Sequence, residues 1–170
     1  MVRLVVVNGY PESGKDLFAE LCDKYMKTYT ICTSTPMKEA MSLLGWNGVK
    51  TEEVRNELCH MKHMSNKLFN CTQIHLLKEL SRIKMEMIDS NRHGLVFIQS
   101  REPQEIEYLA KTLGAETVLL TRLNYGKGTN AADMYVEDYD YDTIITNNGS
   151  IEDLKIKAER FVWKGNAECI

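Results

Sequence analysis

The sequence lacks an excess of positive charge, a paired-cysteine motif and a long apolar run, and each absence excludes a class of protein. Its 21 basic residues are outnumbered by 24 acidic ones, which argues against binding to a nucleic-acid polymer. Its five cysteines form no C-x-x-C pair, so we expect reduced thiols rather than a disulfide framework. The apolar residues after Met1 are too few for a signal peptide or a membrane helix. We therefore expect a cytoplasmic protein with no membrane partner.

The order of apolar patterns along the chain predicts one α/β domain over residues 1–170. Five short apolar or β-branched runs alternate with segments whose apolar residues recur at helical spacing. The runs are RLVVVN, TYTICT, GLVFIQS, AETVLLT and DTIIT. This alternation predicts a parallel sheet covered by helices, with ligands at the carboxyl ends of the strands. It also predicts a helical insertion over about 36–91 and a long polar loop over about 122–134.

Residues 9–15, GYPESGK, match the phosphate-binding pattern G-x-x-x-x-G-K between a predicted strand and a predicted helix. Glycines suit this place because backbone N–H groups must converge on phosphate oxygens without Cβ atoms in the way. The alternative is a glycine turn with a surface lysine. We expect the nucleotide phosphates to contact a set of residues at the start of the helix: Gly9, Ser13, Gly14, Lys15, Asp16 and Leu17.

Asp16 follows the lysine of this loop, where a serine or threonine hydroxyl usually binds the magnesium ion of the nucleotide. A carboxylate is also a hard oxygen ligand and can hold Mg²⁺ directly or through water. It adds a negative charge beside the phosphates, and a cation must compensate for it. Asp16 therefore predicts a metal site. The alternative is that Asp16 only favours the dipole of the helix.

Four segments together resemble the nucleoside monophosphate kinase superfamily of P-loop proteins. They are GYPESGKD, PMKEAMSLLGW, REPQEIEYL and DYDTIITNNGSIEDL. The G-K-D variant is similar to that of the bacteriophage-type deoxynucleoside monophosphate kinases, and the last segment is also similar to dephospho-coenzyme A kinases. The resemblance implies a three-layer P-loop NTPase fold, a five-stranded parallel sheet with helices on both faces. It also implies ATP and Mg²⁺ as cofactors and small nucleotides as substrates.

The resemblance assigns roles to three basic residues that follow predicted strands. Arg101 comes directly after the third strand, where a basic residue of these kinases binds the acceptor phosphate; the alternative is an ion pair with Glu102 or Glu105. Arg122 and Lys127 lie in the long polar loop, which matches the lid in position. Cations there would meet the transferring phosphoryl group. The alternative for this segment is an ordinary flexible loop.

Two further parts of the site are implied in the same way. Asn147, Asn148 and Gly149 follow the fifth strand, where a loop passes the adenine base in the similar families, although Asn and Gly also simply form turns. The helical insertion, including Lys38 and Arg55, is expected to line the acceptor pocket.

The end of the third strand departs from the pattern of many P-loop enzymes. Gln99 and Ser100 stand where an aspartate commonly holds the hydration shell of magnesium. Either Asp16 and Glu102 replace it, or the chain binds nucleotide without efficient transfer.

Three hypotheses follow. The leading one is ATP-dependent phosphoryl transfer to a (deoxy)nucleoside monophosphate by a monomer or homodimer. The alternatives are a kinase of another phosphorylated metabolite, such as dephospho-coenzyme A, and a non-catalytic nucleotide-binding regulatory module.

Overall fold

The computed structural model describes residues 2–123 and 133–164, in which strands and helices alternate as the sequence predicts. The strands are β1 (Val2–Asn8), β2 (Thr28–Cys32), β3 (Gly94–Gln99), β4 (Glu116–Thr121) and β5 (Thr143–Thr146). The helices are α1 (Lys15–Asp23), α2 (Thr35–Leu43), α3 (Glu52–Phe69), α4 (Cys71–Ser90), α5 (Pro103–Leu113) and α6 (Ile151–Lys164).

The strands form a parallel sheet in the order β2-β3-β1-β4-β5. From β1 the chain crosses to one side of the sheet to form β2 and β3, and then crosses β1 to form β4 and β5 on the other side. The direction of winding therefore reverses at β1. In open parallel sheets, ligands bind outside the carboxyl ends of the strands at this reversal. Residues 9–15, which match the phosphate-binding pattern and which we call the phosphate loop, directly follow β1 and so lie at this point.

Each face of the sheet has its own apolar core, because successive side chains of a strand point to opposite faces. On one face Phe97 of β3 packs with Phe18 of α1 and Phe161 of α6, with ring centroids 5.5 to 6.0 Å apart. On the other face Ile98 packs in a second cluster with Ile106 of α5 and residues of α4. The predicted three-layer fold, a five-stranded parallel sheet with helices on both faces, is confirmed.

Local sequence signals set the ends of α5 and α6. Before α6, the Ser150 N–H donates to Asp153 Oδ2 at 2.8 Å, and the Asp153 N–H donates to Ser150 Oγ at 3.2 Å. This reciprocal pair is a capping box. Helix α5 begins at Pro103. At its other end Gly114 has a φ of 61°, the left-handed conformation that commonly ends helices.

Helices α2, α3 and α4 form the connection between β2 and β3. Thr51 begins α3 by accepting a hydrogen bond from the Val54 N–H at 3.3 Å. Among residues 2–123 and 133–164, none of the helices combines the length and the apolar content that a bilayer crossing needs.

Candidate active site

A cleft of about 290 Å³ opens at the carboxyl ends of β1, β2 and β3. The phosphate loop and the start of α1 line one side, and residues of α3 and of the loop before it line the other. The predicted site residues Lys15, Asp16 and Arg101 all line this cleft. Leu17 is different, since its side chain packs against the core beneath α1 and only its backbone amide belongs to the helix start.

The phosphate loop needs glycine at both predicted positions. Gly9 has a φ of 153° and Gly14 a φ of 97°, conformations that residues with a Cβ rarely adopt. A Cβ on Gly9 would collide with the backbone carbonyl oxygen of Leu120, and one on Gly14 would collide with the Asn147 amide. The Asn147 Nδ2 donates to the Ser13 carbonyl at 2.9 Å. This buried asparagine therefore holds the loop against the end of β5.

We expect Gly9→Ala to lower the free energy of unfolding by about 2 to 4 kcal/mol, because strain at positive φ adds to a clash with rigid backbone. Gly45→Ala is the matched control. Gly45 also has positive φ, 100°, but nothing lies within 4 Å of its Cβ position. It should lose only about 1 kcal/mol. Urea denaturation measures both, and equal losses would contradict the close approach of Gly9 to β4.

Lys15 lies over the loop that precedes it. Its Nζ donates to the carbonyl oxygens of Gly9 at 2.6 Å and Tyr10 at 2.8 Å, and to Ser13 Oγ at 3.4 Å. Burial, together with the positive charge of Arg101, lowers the pKa of Lys15 to about 8. Two neighbouring cations in the cleft favour a bound anion, which would compensate both charges.

Asp16 and Gln99 form one polar unit across the cleft. The Gln99 Nε2 donates to Asp16 Oδ1 at 2.6 Å, so the residue at the end of β3 orients the carboxylate on α1. Glu102, the other acid considered for metal binding, lies 3.2 Å from Lys62 Nζ and also lines the cleft. At the end of β3 itself, a neutral amide thus stands beside the carboxylate of α1.

Arg101 forms an ion pair that its local sequence does not reveal. Its Nη1 lies 2.5 Å from Oδ1 of Asp133, a fully buried residue 32 positions downstream. Glu102 and Glu105, the partners considered from sequence, bind Lys62 instead. Because Asp133 contacts one side of the guanidinium, it orients the group while leaving the side chain partly exposed to the cleft.

A hydrogen-bonded network holds the segment around Asp133 near the end of β1. Asn8 Nδ2 donates to the Tyr141 hydroxyl at 2.7 Å and to the Arg101 carbonyl at 3.3 Å. The Tyr141 hydroxyl donates to the Val136 carbonyl at 2.7 Å. The segment after the long loop is therefore tied directly to the strand that begins the phosphate loop.

Sequence reasoning also missed a partly buried ion cluster between α3 and α5. Lys62 Nζ lies 2.7 Å from Glu105 and 3.2 Å from Glu102. Burial alone would lower the pKa of Lys62, but the two carboxylates outweigh it and the pKa is raised. Glu105 also accepts hydrogen bonds from Ser100 Oγ and, at 3.2 Å, from Thr33 Oγ1. The cluster holds the insertion against the ends of β2 and β3.

Three cations line the insertion side of the cleft: Lys38, Lys50 and Arg55. Within the part of the chain that the structure describes, none of them forms an ion pair with a carboxylate. Burial lowers the pKa of Lys50, and the positive charges of Lys38 and Arg55 lower it further. Lys38 also donates to Cys32 Sγ at 3.2 Å. The three positive charges close together on this side of the cleft fit an anionic ligand group. Lys50 was not identified from sequence.

The remaining predicted residues lie around the loops after β4 and β5. Arg122 directly follows β4 and is exposed, whereas Lys127 lies outside the described residues. Asn148 Oδ1 accepts a hydrogen bond from the Leu123 N–H at 2.7 Å, which joins the two loops. Gly149 leads into the capping box of α6, and a Cβ there would lie 2.5 Å from the Asp153 carboxylate.

Comparison with solved structures finds two kinases among the matches. A sugar kinase from Janibacter sp. HTCC2649 is 16% identical over 93% of this chain and 92% of that chain, with a TM-score of 0.47. Thymidylate kinase from Candida albicans is 13% identical over 96% of this chain and 92% of that chain, also with a TM-score of 0.47. No family model and no curated protein sequence matches. The chemistry of this chain therefore has to be argued from its own residues.

Proposed function

We propose that the protein transfers the γ-phosphoryl group of ATP to a phosphate-bearing acceptor, a (deoxy)nucleoside monophosphate. The observation that carries the proposal is that cations from separate parts of the chain line one cleft. Lys15 ends the phosphate loop, Arg101 follows β3, and the helical insertion with the loop before α3 supplies Lys38, Lys50 and Arg55. In this proposal the phosphate-loop side is the donor end and the insertion side is the acceptor end. A phosphoryl transferase has to hold two phosphorylated substrates at once, and this arrangement suits both.

At the donor end, Lys15 and the amides of residues 13–17 bind the β- and γ-phosphates of ATP. The positive end of the α1 dipole also attracts these phosphates. Asp16, oriented by Gln99, is the protein ligand for Mg²⁺. Magnesium commonly uses one or two carboxylates and completes its shell with phosphate and water oxygens. Bound there, the ion would neutralise charge on the phosphates. In this proposal the adenine base of ATP lies beside the loop that contains Asn147, Asn148 and Gly149.

At the acceptor end, Arg101 binds the acceptor phosphate through the guanidinium nitrogens that Asp133 does not occupy. Lys38, Lys50 and Arg55 supply the surrounding positive charge. Arg122 and Lys127, in a lid over about 122–134, stabilise the charge that spreads over the phosphoryl group during transfer. No covalent intermediate is required, because this chemistry needs positioning and charge neutralisation.

The substitution of Gln99 for a third-strand acid favours one rival, a regulatory module that binds nucleotide without turnover. Another rival is a kinase with a different phosphorylated acceptor, such as dephospho-coenzyme A. Release of ADP from ATP, measured against a panel of nucleoside monophosphates and dephospho-coenzyme A, separates the three. Release with a nucleoside monophosphate supports the proposal. Release with another acceptor alone, or binding without release, supports one of the rivals.

We expect Asp16→Asn to raise the Mg²⁺ concentration needed for half-maximal activity by about tenfold, since an amide oxygen is a weaker ligand than a carboxylate. Nucleotide binding should change less than transfer. Magnesium titrations of activity measure the effect. Glu20→Gln, an exposed acid on the same helix, should match the wild type. If Asp16→Asn shows wild-type metal dependence and only a small loss of stability, Asp16 serves the helix dipole alone.

The pKa of Lys15 predicts how ATP affinity depends on pH. The ammonium is charged at pH 7 and loses its proton as the pH rises through about 8. Because phosphate favours the charged form, affinity should fall with rising pH, by about tenfold between pH 7 and pH 9. Titration calorimetry measures this. Lys15→Arg keeps its charge throughout this range and should give a flat profile. A flat wild-type profile would show that Lys15 does not contact the phosphates.

A further inference from the structure

Helix α4 carries an exposed apolar row that the fold itself does not use. The row consists of Ile74, Leu77, Ser81, Met85 and Ile88, and we call it the α4 stripe. Its apolar side chains are exposed by 60%, 52%, 60% and 71% in chain order. The spacing of three, four, four and three residues places all five on one face of the helix. The α4 stripe is thus a row about four turns long, apolar on both sides of Ser81.

The opposite side of α4 already accounts for its packing in the domain. The buried residues of the helix are Thr72, Leu76, Leu80, Ile83 and Met87. They lie on a different face of the helix, and the exposed apolar residues of the α4 stripe, spread over about four turns, remain on the outside. Exposed apolar patches of this size commonly mark an interaction site.

The spacing of the α4 stripe is symmetric about Ser81. Two copies of α4 packed antiparallel, with their Ser81 residues facing, would place Ile74 of each against Ile88 of the other. Leu77 would then meet Met85 in the same way. Such self-complementarity is the property that a two-fold interface requires. The small side chain of Ser81 at the crossing point allows the helices to approach closely.

We propose that the α4 stripe binds a second copy of this chain, as an antiparallel helix pair centred on Ser81. The four apolar side chains expose roughly 400 Å² per copy, and the stems of Lys78 and Lys84 beside them add to this. Tyr108 extends the surface at one end, because Gln73 of α4 donates to its hydroxyl at 2.7 Å and its ring is 47% exposed. The pair would bury about 1,000 Å² in total, the lower end of specific interfaces, so the dimer is concentration-dependent.

Cross-linking tests the centre of symmetry. In Ser81→Cys the two new thiols face each other, and mild oxidation should give a dimer with an 81–81 linked peptide by mass spectrometry. Lys78→Cys is the matched control on the same helix. Its two copies would be about 9 Å apart along the helix axis and should not link. The unmodified chain, with its own cysteines, gives the baseline. Absence of the 81–81 link, or equal linking at position 78, would overturn the antiparallel arrangement.

Sedimentation equilibrium tests the interface without new thiols. At about 50 µM the wild type should show a large fraction at twice the chain mass, and Leu77→Glu should raise the dissociation constant more than tenfold. Leu77 is half-exposed, so the variant should keep its circular dichroism spectrum. Ile156→Glu, at an exposed apolar position of α6, is the control and should dimerise normally. A monomeric wild type, or an unaffected Leu77→Glu variant, would refute the proposal.

Discussion

Replacing Lys15 with alanine is expected to weaken ATP binding by a factor of about 100 or more, because an ammonium facing several phosphate oxygens makes more than one charge-assisted hydrogen bond. Titration calorimetry measures the loss. Lys24→Ala, an exposed lysine at the end of the same helix, should bind as the wild type does. If the affinity of Lys15→Ala stayed within about threefold of the wild type, the phosphate-loop assignment would have to be abandoned.

Lys15 also donates to the carbonyl oxygens of Gly9 and Tyr10, so the substitution could act through the loop itself. Thermal unfolding of the ligand-free variant separates the two effects. Burial already disfavours the charged lysine, as its lowered pKa of about 8 shows, so we expect only a small change in stability. A large loss of stability together with lost affinity would indicate a collapsed loop instead of a missing phosphate contact.

Arg101→Lys is expected to lower kcat/KM for the acceptor by about 5- to 150-fold, or about 1 to 3 kcal/mol, while ATP affinity stays nearly unchanged. Asp133 binds Nη1 of the Arg101 guanidinium, and in the proposed function the remaining nitrogens bind the acceptor phosphate. A lysine keeps the charge but has no planar fork, so it cannot reproduce both contacts. Steady-state kinetics with each substrate varied in turn give the two values.

Arg160→Lys, on the exposed side of α6, is the control for a change of this type away from the cleft. Equal losses for both substrates in Arg101→Lys would place Arg101 at the donor phosphates. No loss for either would leave it as the ion-pair partner of Asp133 alone. That result would remove the acceptor contact and favour the regulatory module.

Much of the fold could be predicted because its signals are local. The continuous apolar run GLVFIQS forms the predicted strand β3. The capping box at Ser150 and the glycine after α5 likewise depend only on neighbouring residues. The glycine pattern of the phosphate loop is also local, since it reflects backbone angles at Gly9 and Gly14. The roles assigned to the site residues stay predictions until the kinetic experiments are done.

The hydrogen-bond and ion-pair partners of the side chains in and around the cleft could not be predicted from the sequence in this way. Gln99 binds Asp16 across 83 positions, Asn147 binds Ser13 across 134, and Lys62 reaches Glu105 across 43. None of these pairs has a periodic or spacing signal, because the distance between their residues depends on the order of strands in the sheet. The alternation of strands and helices predicts a parallel sheet but leaves that order open.

Local patterning therefore specified the elements, their ends and the glycine loop after β1 that is proposed to bind phosphate. The arrangement β2-β3-β1-β4-β5 decided which side chains meet at the carboxyl ends. It set Asp133 against Arg101 and placed the amide of Gln99 beside the carboxylate of Asp16. The physical reason is that backbone hydrogen bonding and apolar periodicity act over a few residues, whereas a cleft forms only when packing brings distant strand ends together.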